Sequence, residues 1–210
     1  MFQAILFSLS ILGCNSASES KPQIMENTFN EKAYETDTIT LGGGCFWCIE
    51  AVYLRMKGIV SATSGYSGGF VKNPAYREVC NGTTGHAEVV QLVFDKSQTT
   101  LEDILSVFFV VHDPTTPNRQ GNDVGTQYRS AIYYHTDEQK AIVENAIKKL
   151  TDEKAFADKI VTELAPIQNF YKAEDYHQNY YNLNTNESYC RFVVKSKVDK
   201  FEKLFKEKAK

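Results

Sequence analysis

Cys45 and Cys48 stand three residues apart in the run Gly42-Gly43-Gly44-Cys45-Phe46-Trp47-Cys48, and a thiol in that setting is placed to react. A strand-like stretch, Thr38 to Leu41, leads into the glycines, and Ile49 to Leu54 reads as a helix after them. Glycines let the backbone turn sharply and leave a sulfur open to a ligand. The free N–H groups and positive end of the following helix favour thiolate over thiol. Phe46 and Trp47 add two aromatic surfaces beside the sulfur. The chemistry implied is redox or nucleophilic, at an apolar pocket. Cys48 falls about one helical turn on, where side chains are neighbours at roughly 5–6 Å, and a modest adjustment of that turn allows a disulfide. Zinc is the other use of such a pair, but it needs four ligands. His86, His112, His135 and His177 are scattered singly, so no metal is expected.

Three further stretches carry groups of similar flavour. They are Tyr76 in Asn73 to Val79, Glu88 in Gly85-His86-Ala87-Glu88-Val89, and Gln120 to Arg129, which holds Asp123 and Tyr128. A carboxyl at the start of an apolar strand, as at Glu88, can have its pKa raised by burial and so serve as an acid. Taken singly each has a plain structural reading: Tyr76 a turn residue, Glu88 a solvent-facing strand position, Asp123 a loop cap. Cys80 reads as a buried, inert thiol.

The elements that must position these groups follow from periodicity. Gly58 to Ser64 and Ala87 to Phe94 alternate as strands, with a loop dense in Gly, Asn, Pro and Tyr between them. Thr99 or Thr100 caps a helix carrying Leu101, Ile104, Leu105 and Phe108 at helical spacing. The long loop from His112 to Thr126 has the length of a functional one. Gln127 to His135 reads as a strand, and Thr136 with Gln139 opens a helix from Asp137 to Leu150. A short strand (Ile160 to Leu164), a helix (Lys172 to Tyr181), an edge strand (Arg191 to Val194) and a last helix (Val198 to Lys208) complete the chain. The interspersed, βαββαβ-like order predicts an α+β sandwich, a mixed sheet with helices packed on it.

At 210 residues there is room for one domain with a real core. A formal net charge of -3 gives no electrostatic reason to expect nucleic acid. Five cysteines are too few for a disulfide-built scaffold of this length. The N-terminus differs from the rest. Met1 to Cys14 is apolar and uncharged, too short to span a bilayer as a mature helix, and fits a signal-peptide core. Ile11-Leu12-Gly13-Cys14 resembles a bacterial lipoprotein cleavage box, which makes Cys14 a candidate for lipidation, although no Lys or Arg precedes it and Leu12 is bulky there. The expectation is a leader and flexible tether over residues 1–35, and a folded domain over 36–210 in the cell envelope, periplasmic or membrane-anchored. An unprocessed N-terminus would leave it cytoplasmic.

Taken together, the motifs resemble one family. Gly44-Cys45-Phe46-Trp47, Gly65-Tyr66-Ser67-Gly68-Gly69, Asn73 to Cys80, Gly85-His86-Ala87-Glu88, Arg119 to Asp123 with Gly125 to Ser130, and Ala173 to Gln178 are similar to the A-type peptide methionine sulfoxide reductases, from about Leu41 to Cys190. The resemblance implies a ferredoxin-like two-layer α+β fold. It implies reduction of the S epimer of methionine sulfoxide, protein-bound or free, without a cofactor, and recycling by thioredoxin or a similar dithiol. It also implies roles: Cys45 the nucleophile, Glu88 the acid, Tyr76 and Tyr128 hydrogen-bond donors to the sulfoxide oxygen, Asp123 an assisting residue, Phe46 and Trp47 walls for the methyl group. A monomer is expected. One departure stands out, Cys48, where many relatives have glycine. Tyr189-Cys190 is similar to the family's late segment, though the glycine-rich tail of some members is absent. Cys48 and Cys190 therefore compete to resolve the oxidised Cys45, and the shorter loop closure favours Cys48. Two rival readings are weaker. A thioredoxin-like dithiol oxidoreductase would leave the Gly85 and Arg119-to-Arg129 stretches without a purpose, and a non-enzymatic surface lipoprotein would not need the set of reactive groups.

Overall fold

The computed structural model describes residues 35–210. The expected leader, Cys14 within it, and all but the last residue of the expected tether lie outside the described residues. Among the described residues no helix is long and apolar enough to cross a membrane.

Four antiparallel strands form the centre. They are β1 (Thr36–Gly43), β2 (Ile59–Ser67), β3 (Ala87–Asp95) and β6 (Ser130–Tyr134), with α1 (Phe46–Tyr53) between β1 and β2 and α3 (Leu101–Val111) after β3. Their spatial order, β6-β1-β3-β2, is the ferredoxin-like arrangement that the interspersed element order implied. β7 (Glu163–Pro166) extends one edge parallel to β6, after the crossover helix α4 (Asp137–Asp152); a parallel neighbour needs such a crossover. β8 (Tyr171–Lys172) extends the other edge against β2. Short elements fill the long loops: α2 (Tyr76–Cys80), and the ribbon of β4 (Arg119–Gln120) and β5 (Asp123–Val124).

One face of the sheet is oily because alternate residues are. Ile39, Leu41, Val90, Leu92 and Ile132 point at Ile49, Val52 and Tyr53 of α1 and at Ile104, Leu105 and Phe108 of α3, all fully or nearly fully buried. Each such side chain contributes about 1.5–3 kcal/mol on leaving water. The helices start where their caps stand. Thr100 accepts from the Asp103 N–H, and Thr136 from Gln139 N–H at 3.2 Å. Gln139 then reaches back to the Thr38 carbonyl at 2.8 Å, tying α4 to β1.

Differences from the sequence reading lie at the C-terminal end. Lys172 to Tyr181 is not one helix but the end of β8, a 3-10 turn (Asp175–His177) and the start of α5 (Tyr180–Leu183). Arg191 to Val194 is not an edge strand. It belongs to a π-helical turn (Cys190–Val194) that runs straight into α6 (Lys195–Leu204). Burial explains this, since Cys190, Val194, Val198 and Phe201 share one helical face and all are buried. The strand expected over Gln127 to His135 opens as a 3-10 turn (Thr126–Tyr128), and Tyr128 sits in that turn.

Candidate active site

β1 delivers the chain to Gly43 and Gly44, where a side chain would be crowded and, at Gly44, strained as well. A Cβ on Gly43 would lie 2.8 Å from Ile49 Cδ1, and one on Gly44 2.5 Å from Gln120 Cγ, with Gly44 at a left-handed φ of +89°. This tight turn sets Cys45 as the N-cap of α1. A helix start carries unsatisfied N–H groups, and the Phe46 N–H donates to Glu88 Oε2 at 3.0 Å. Glu88 enters from the beginning of β3 and is 1% exposed. Burial pushes its carboxyl up to about 8, against the lowering effect of the Phe46 N–H and with the charges of Asp123 and Cys48 adding to the rise. The solvent-facing reading of Glu88 fails, since the carboxyl is buried.

Cys45 and Cys48 are both buried and reduced. Burial, then the neighbouring Cys48 and the charge of Glu88, holds the Cys45 thiol well up. Cys48 is lowered, first because Cys45 donates a hydrogen bond to it, then by the charge of Lys197. Of the two thiols, Cys48 gives up its proton the more readily. The Tyr189 hydroxyl is in hydrogen-bonding reach of both sulfurs and donates to Asp123 Oδ2 at 2.6 Å.

The aromatic wall is larger than Phe46 and Trp47. Phe46 lies buried among Tyr66, Tyr76 and His177, with ring centroids 5.9, 6.4 and 5.0 Å away. Trp47 stacks on Tyr180 at 3.8 Å, and its indole N–H donates to His177 Nδ1 at 3.2 Å. The accepting Nδ1 leaves the proton of a neutral imidazole on Nε2. Glu174 ties this wall to the sheet by accepting from Tyr66 OH at 2.8 Å and from the Tyr76 N–H at 2.9 Å. Tyr76 and Tyr128 are half-buried, and burial raises both phenols, with the charge of Glu88 contributing to each. Both are therefore hydrogen-bond donors, not phenolates.

Cys45, Cys48, Phe46, Trp47, Tyr76, Glu88, Asp123 and Tyr128 are thus brought together around the head of α1. Cys190 is fully buried one residue beyond Tyr189 and within electrostatic reach of Cys48. Cys80 corrects the sequence reading. It is half-buried, with its thiol against the Tyr76 phenol, one helical turn along α2. Sequence reasoning missed the roles of Tyr189, His177, Tyr180 and Glu174. Their partners lie far off in the chain, and the local signals were the family-like segments Ala173 to Gln178 and Tyr189-Cys190 and the density of tyrosines from Tyr171 to Tyr189.

Known proteins agree with this geometry. The family model described as peptide methionine sulfoxide reductase matches residues 37–209. The peptide methionine sulfoxide reductase MsrA of Saccharolobus solfataricus is 57% identical over 174 residues, covering 83% of this chain and 97% of that protein. Among solved structures, Mxr1 of Saccharomyces cerevisiae in reduced form superposes with a TM-score of 0.66 at 36% identity, over 74% of this chain and 89% of that one. Methionine sulfoxide reductase A of Corynebacterium diphtheriae gives 0.65 at 38%, over 72% and 76%. A family model that spans the described domain, and relatives alike over nearly their whole length, leave one conclusion: the chain belongs to the A-type peptide methionine sulfoxide reductases, oxidoreductases that return oxidised methionine to methionine.

Proposed function

We propose that the chain acts on the S epimer of methionine sulfoxide, in proteins or free, and pays the two electrons from its own thiols. One observation carries this reading: a buried Glu88 carboxyl, 3.0 Å from the first amide of α1 and pushed up to about 8, is protonated at neutral pH beside Cys45. A sulfoxide oxygen leaves only when protonated, so a neutral carboxylic acid is the group required.

Cys45 attacks the sulfoxide sulfur as its proton passes along the hydrogen bond to Cys48. Glu88 protonates the oxygen, with Tyr76 and Tyr128 donating hydrogen bonds to it. Phe46 and Trp47 hold the methyl group, and separate places for oxygen and methyl select one epimer. Asp123 acts through Tyr189, keeping that hydroxyl over the sulfurs. Methionine departs and Cys45 is left as a sulfenic acid. Cys48 then attacks the Cys45 sulfur. The S–O bond breaks and the hydroxyl leaves with a proton as water. In sum, sulfoxide and two thiols give sulfide, disulfide and water. A thioredoxin-like dithiol then reduces the disulfide. Cys190 is the alternative resolving thiol, but burial raises its thiol whereas the hydrogen bond from Cys45 lowers that of the equally buried Cys48, which makes Cys190 the less ready one. Residues 1–35 are proposed as leader and tether, with Cys14 the lipid site, and 36–210 as a monomeric catalytic domain held in the cell envelope.

The test is a stoichiometric reaction on each pure epimer without reductant, followed by peptide mapping. Cys48→Ser should release one methionine per enzyme and then stop, while Cys190→Ser turns over normally with dithiol. The reverse pattern moves the resolving role to Cys190. Activity in Cys45→Ser, a bridge containing Cys80, or preference for the R epimer overturns the reading.

A further inference from the structure

Trp47 is the chain's one tryptophan, and the wall proposed for the methyl group depends on where its indole lies. Tyr180 fixes the face of the ring by stacking on it at 3.8 Å. His177 fixes its direction, because Nδ1 accepts from the indole N–H at 3.2 Å. An indole N–H that leaves water needs such an acceptor. His177 sits in the turn Asp175–His177 and is 1% exposed. Its ring meets Phe46, Trp47 and Tyr76, with centroids 5.0, 5.6 and 4.3 Å away.

The other ring nitrogen is not satisfied. Nε2 carries the proton of the neutral ring, yet it is buried with no hydrogen-bond partner among the described residues. Glu174 Oε2 stands 3.9 Å from it, just beyond hydrogen-bond distance. The other titratable groups against the ring are phenols, Tyr76 from α2 and Tyr176 on the same turn, the latter at 4.2 Å between centroids. Burial raises both, so they stay neutral. From α1 the ring meets Phe46 and Trp47, which do not titrate, and Tyr66 of β2 donates to Glu174. Lys172 and Asp175 pair with each other in solvent. Burial holds His177 below its ordinary value, against the raising charge of Glu174. An imidazolium carries a proton on both nitrogens, so its Nδ1 can no longer accept. The charged ring loses the indole, and Glu174 is the anion beside it.

We propose that His177 is a positioning residue for the methyl pocket: a neutral ring with its proton on Nε2 holds the Trp47 indole, and a protonated ring turns to Glu174 and lets the indole go. The inference rests on Trp47 as a wall for the substrate's methyl group. Substrate binding then weakens in acid, for a reason separate from the chemistry. Glu88, pushed up to about 8, stays protonated throughout that range and cannot be the cause. Loss of thiolate in acid slows the chemical step but leaves binding unaffected. Loss of the indole's anchor instead makes binding itself fade as pH falls. One net hydrogen bond corresponds to about two- to tenfold in affinity.

A single tryptophan gives a single indole N–H resonance in a proton–nitrogen spectrum, and its shift against pH is the first readout. The second is half-saturation by a blocked methionine S-sulfoxide in one turnover, taken where chemistry is slow against dissociation so that it reports binding. In the parent enzyme both should titrate with one midpoint, below the ordinary histidine value of about 6.5. Half-saturation should rise about two- to tenfold on the acid side. His177→Asn keeps an acceptor and cannot be protonated, so both profiles should be flat across that range. His177→Phe keeps a ring without an acceptor, and should bind more weakly than His177→Asn at every pH. A residue that only fills space would give the parent no such midpoint. A resonance that does not titrate, two midpoints that differ, or an acid limb that persists in His177→Asn overturns the role of His177. The first two are read on the parent enzyme, so a variant that fails to fold does not shield the proposal. Trp47→Phe tests the wall itself. If it binds sulfoxide as the parent does, Trp47 is not the wall, and the proposal falls with it. Weaker binding in Trp47→Phe, with no titrating resonance in the parent, leaves the wall standing and removes only the part of His177.

Discussion

The central sheet and the segment from Tyr171 to Val194 both supply the site, and they are held in shape by different means. The sheet half is regular, with β1 and β3 paired over six consecutive positions and α1 and α3 buried against them. The later segment is a strap of short pieces, none longer than five residues. It is fastened by side chains. Glu174 binds Tyr66 and Tyr76, Gln178 binds Ser64, and Tyr189 binds Asp123. The groups proposed to react, Cys45, Cys48 and Glu88, stand on the sheet half. The groups that hold the indole, His177 and Tyr180, stand on the strap. Chemistry and pocket shape are thus carried by separate parts, and the first can be damaged without unfolding the second.

The largest expected effect tests that separation at Glu88. Glu88→Gln keeps the shape but not the acid, and should lower kcat/KM by about 10²–10⁴. The parent enzyme should lose activity as pH rises through about 8, where Glu88 ionises; the variant should lack that limb. Stability should move the other way. The folded state raises this carboxyl from 4.5 to about 8, so it binds the proton more tightly than the unfolded chain does. By linkage, the cost of an ionised buried Glu88 is absent below the lower value and grows until the upper one. Glu88→Gln should therefore be at least as stable as the parent at pH 5, and more stable at pH 9, by chemical denaturation. A variant less stable at the higher pH would mean that the acid also holds the sheet half together.

Gly44→Ala asks the opposite question, whether the turn can be strained without touching any reacting atom. A left-handed alanine costs about 1–2 kcal/mol, and the new Cβ would press on Gln120, whose amide bridges the N–H and carbonyl of Asp113. Overpacking adds about 1–3 kcal/mol, so urea denaturation should show a loss of about 2–5 kcal/mol. A loss below about 1 kcal/mol would show the turn to be softer than its glycines suggest.

The sheet half was readable in the sequence because its signals are local. Alternation marked β3, Thr136 and Gln139 marked the start of α4, and three glycines before Cys45 marked the turn. Glu88 could be suspected as an acid from its place at the head of an apolar strand. The strap was not readable, for a physical reason. Tyr180 is where it is because its ring stacks on Trp47 with centroids 3.8 Å apart, and Tyr189 because its hydroxyl donates at 2.6 Å to Asp123, 66 residues earlier. No window of sequence contains both partners. The β-branched run at Arg191 to Val194 imitated a strand, although Cys190, Val194, Val198 and Phe201, taken together with α6, follow a helical period.

The smallest expected effect falls on the strap alone. Gln178 extends the β2–β8 ladder with its side chain: Oε1 accepts from Ser64 N–H, and Nε2 donates to the Ser64 and Ala173 carbonyls, each at 3.0 Å. Gln178→Ala removes all three bonds, and at about 0.5–1.5 kcal/mol net each the loss should be about 1.5–4.5 kcal/mol. That energy belongs to local opening, because the sheet's own pairing does not depend on the amide. Hydrogen exchange of strap amides should speed up on the order of tenfold or more, while those of β1 and β3 stay near their parent rates. KM should rise as the wall behind Trp47 loosens, with kcat nearly kept, since the reacting groups stand elsewhere. If protection falls equally in strap and sheet, the two parts open as one unit, and the division between chemistry and pocket is a division of roles only, not of stability.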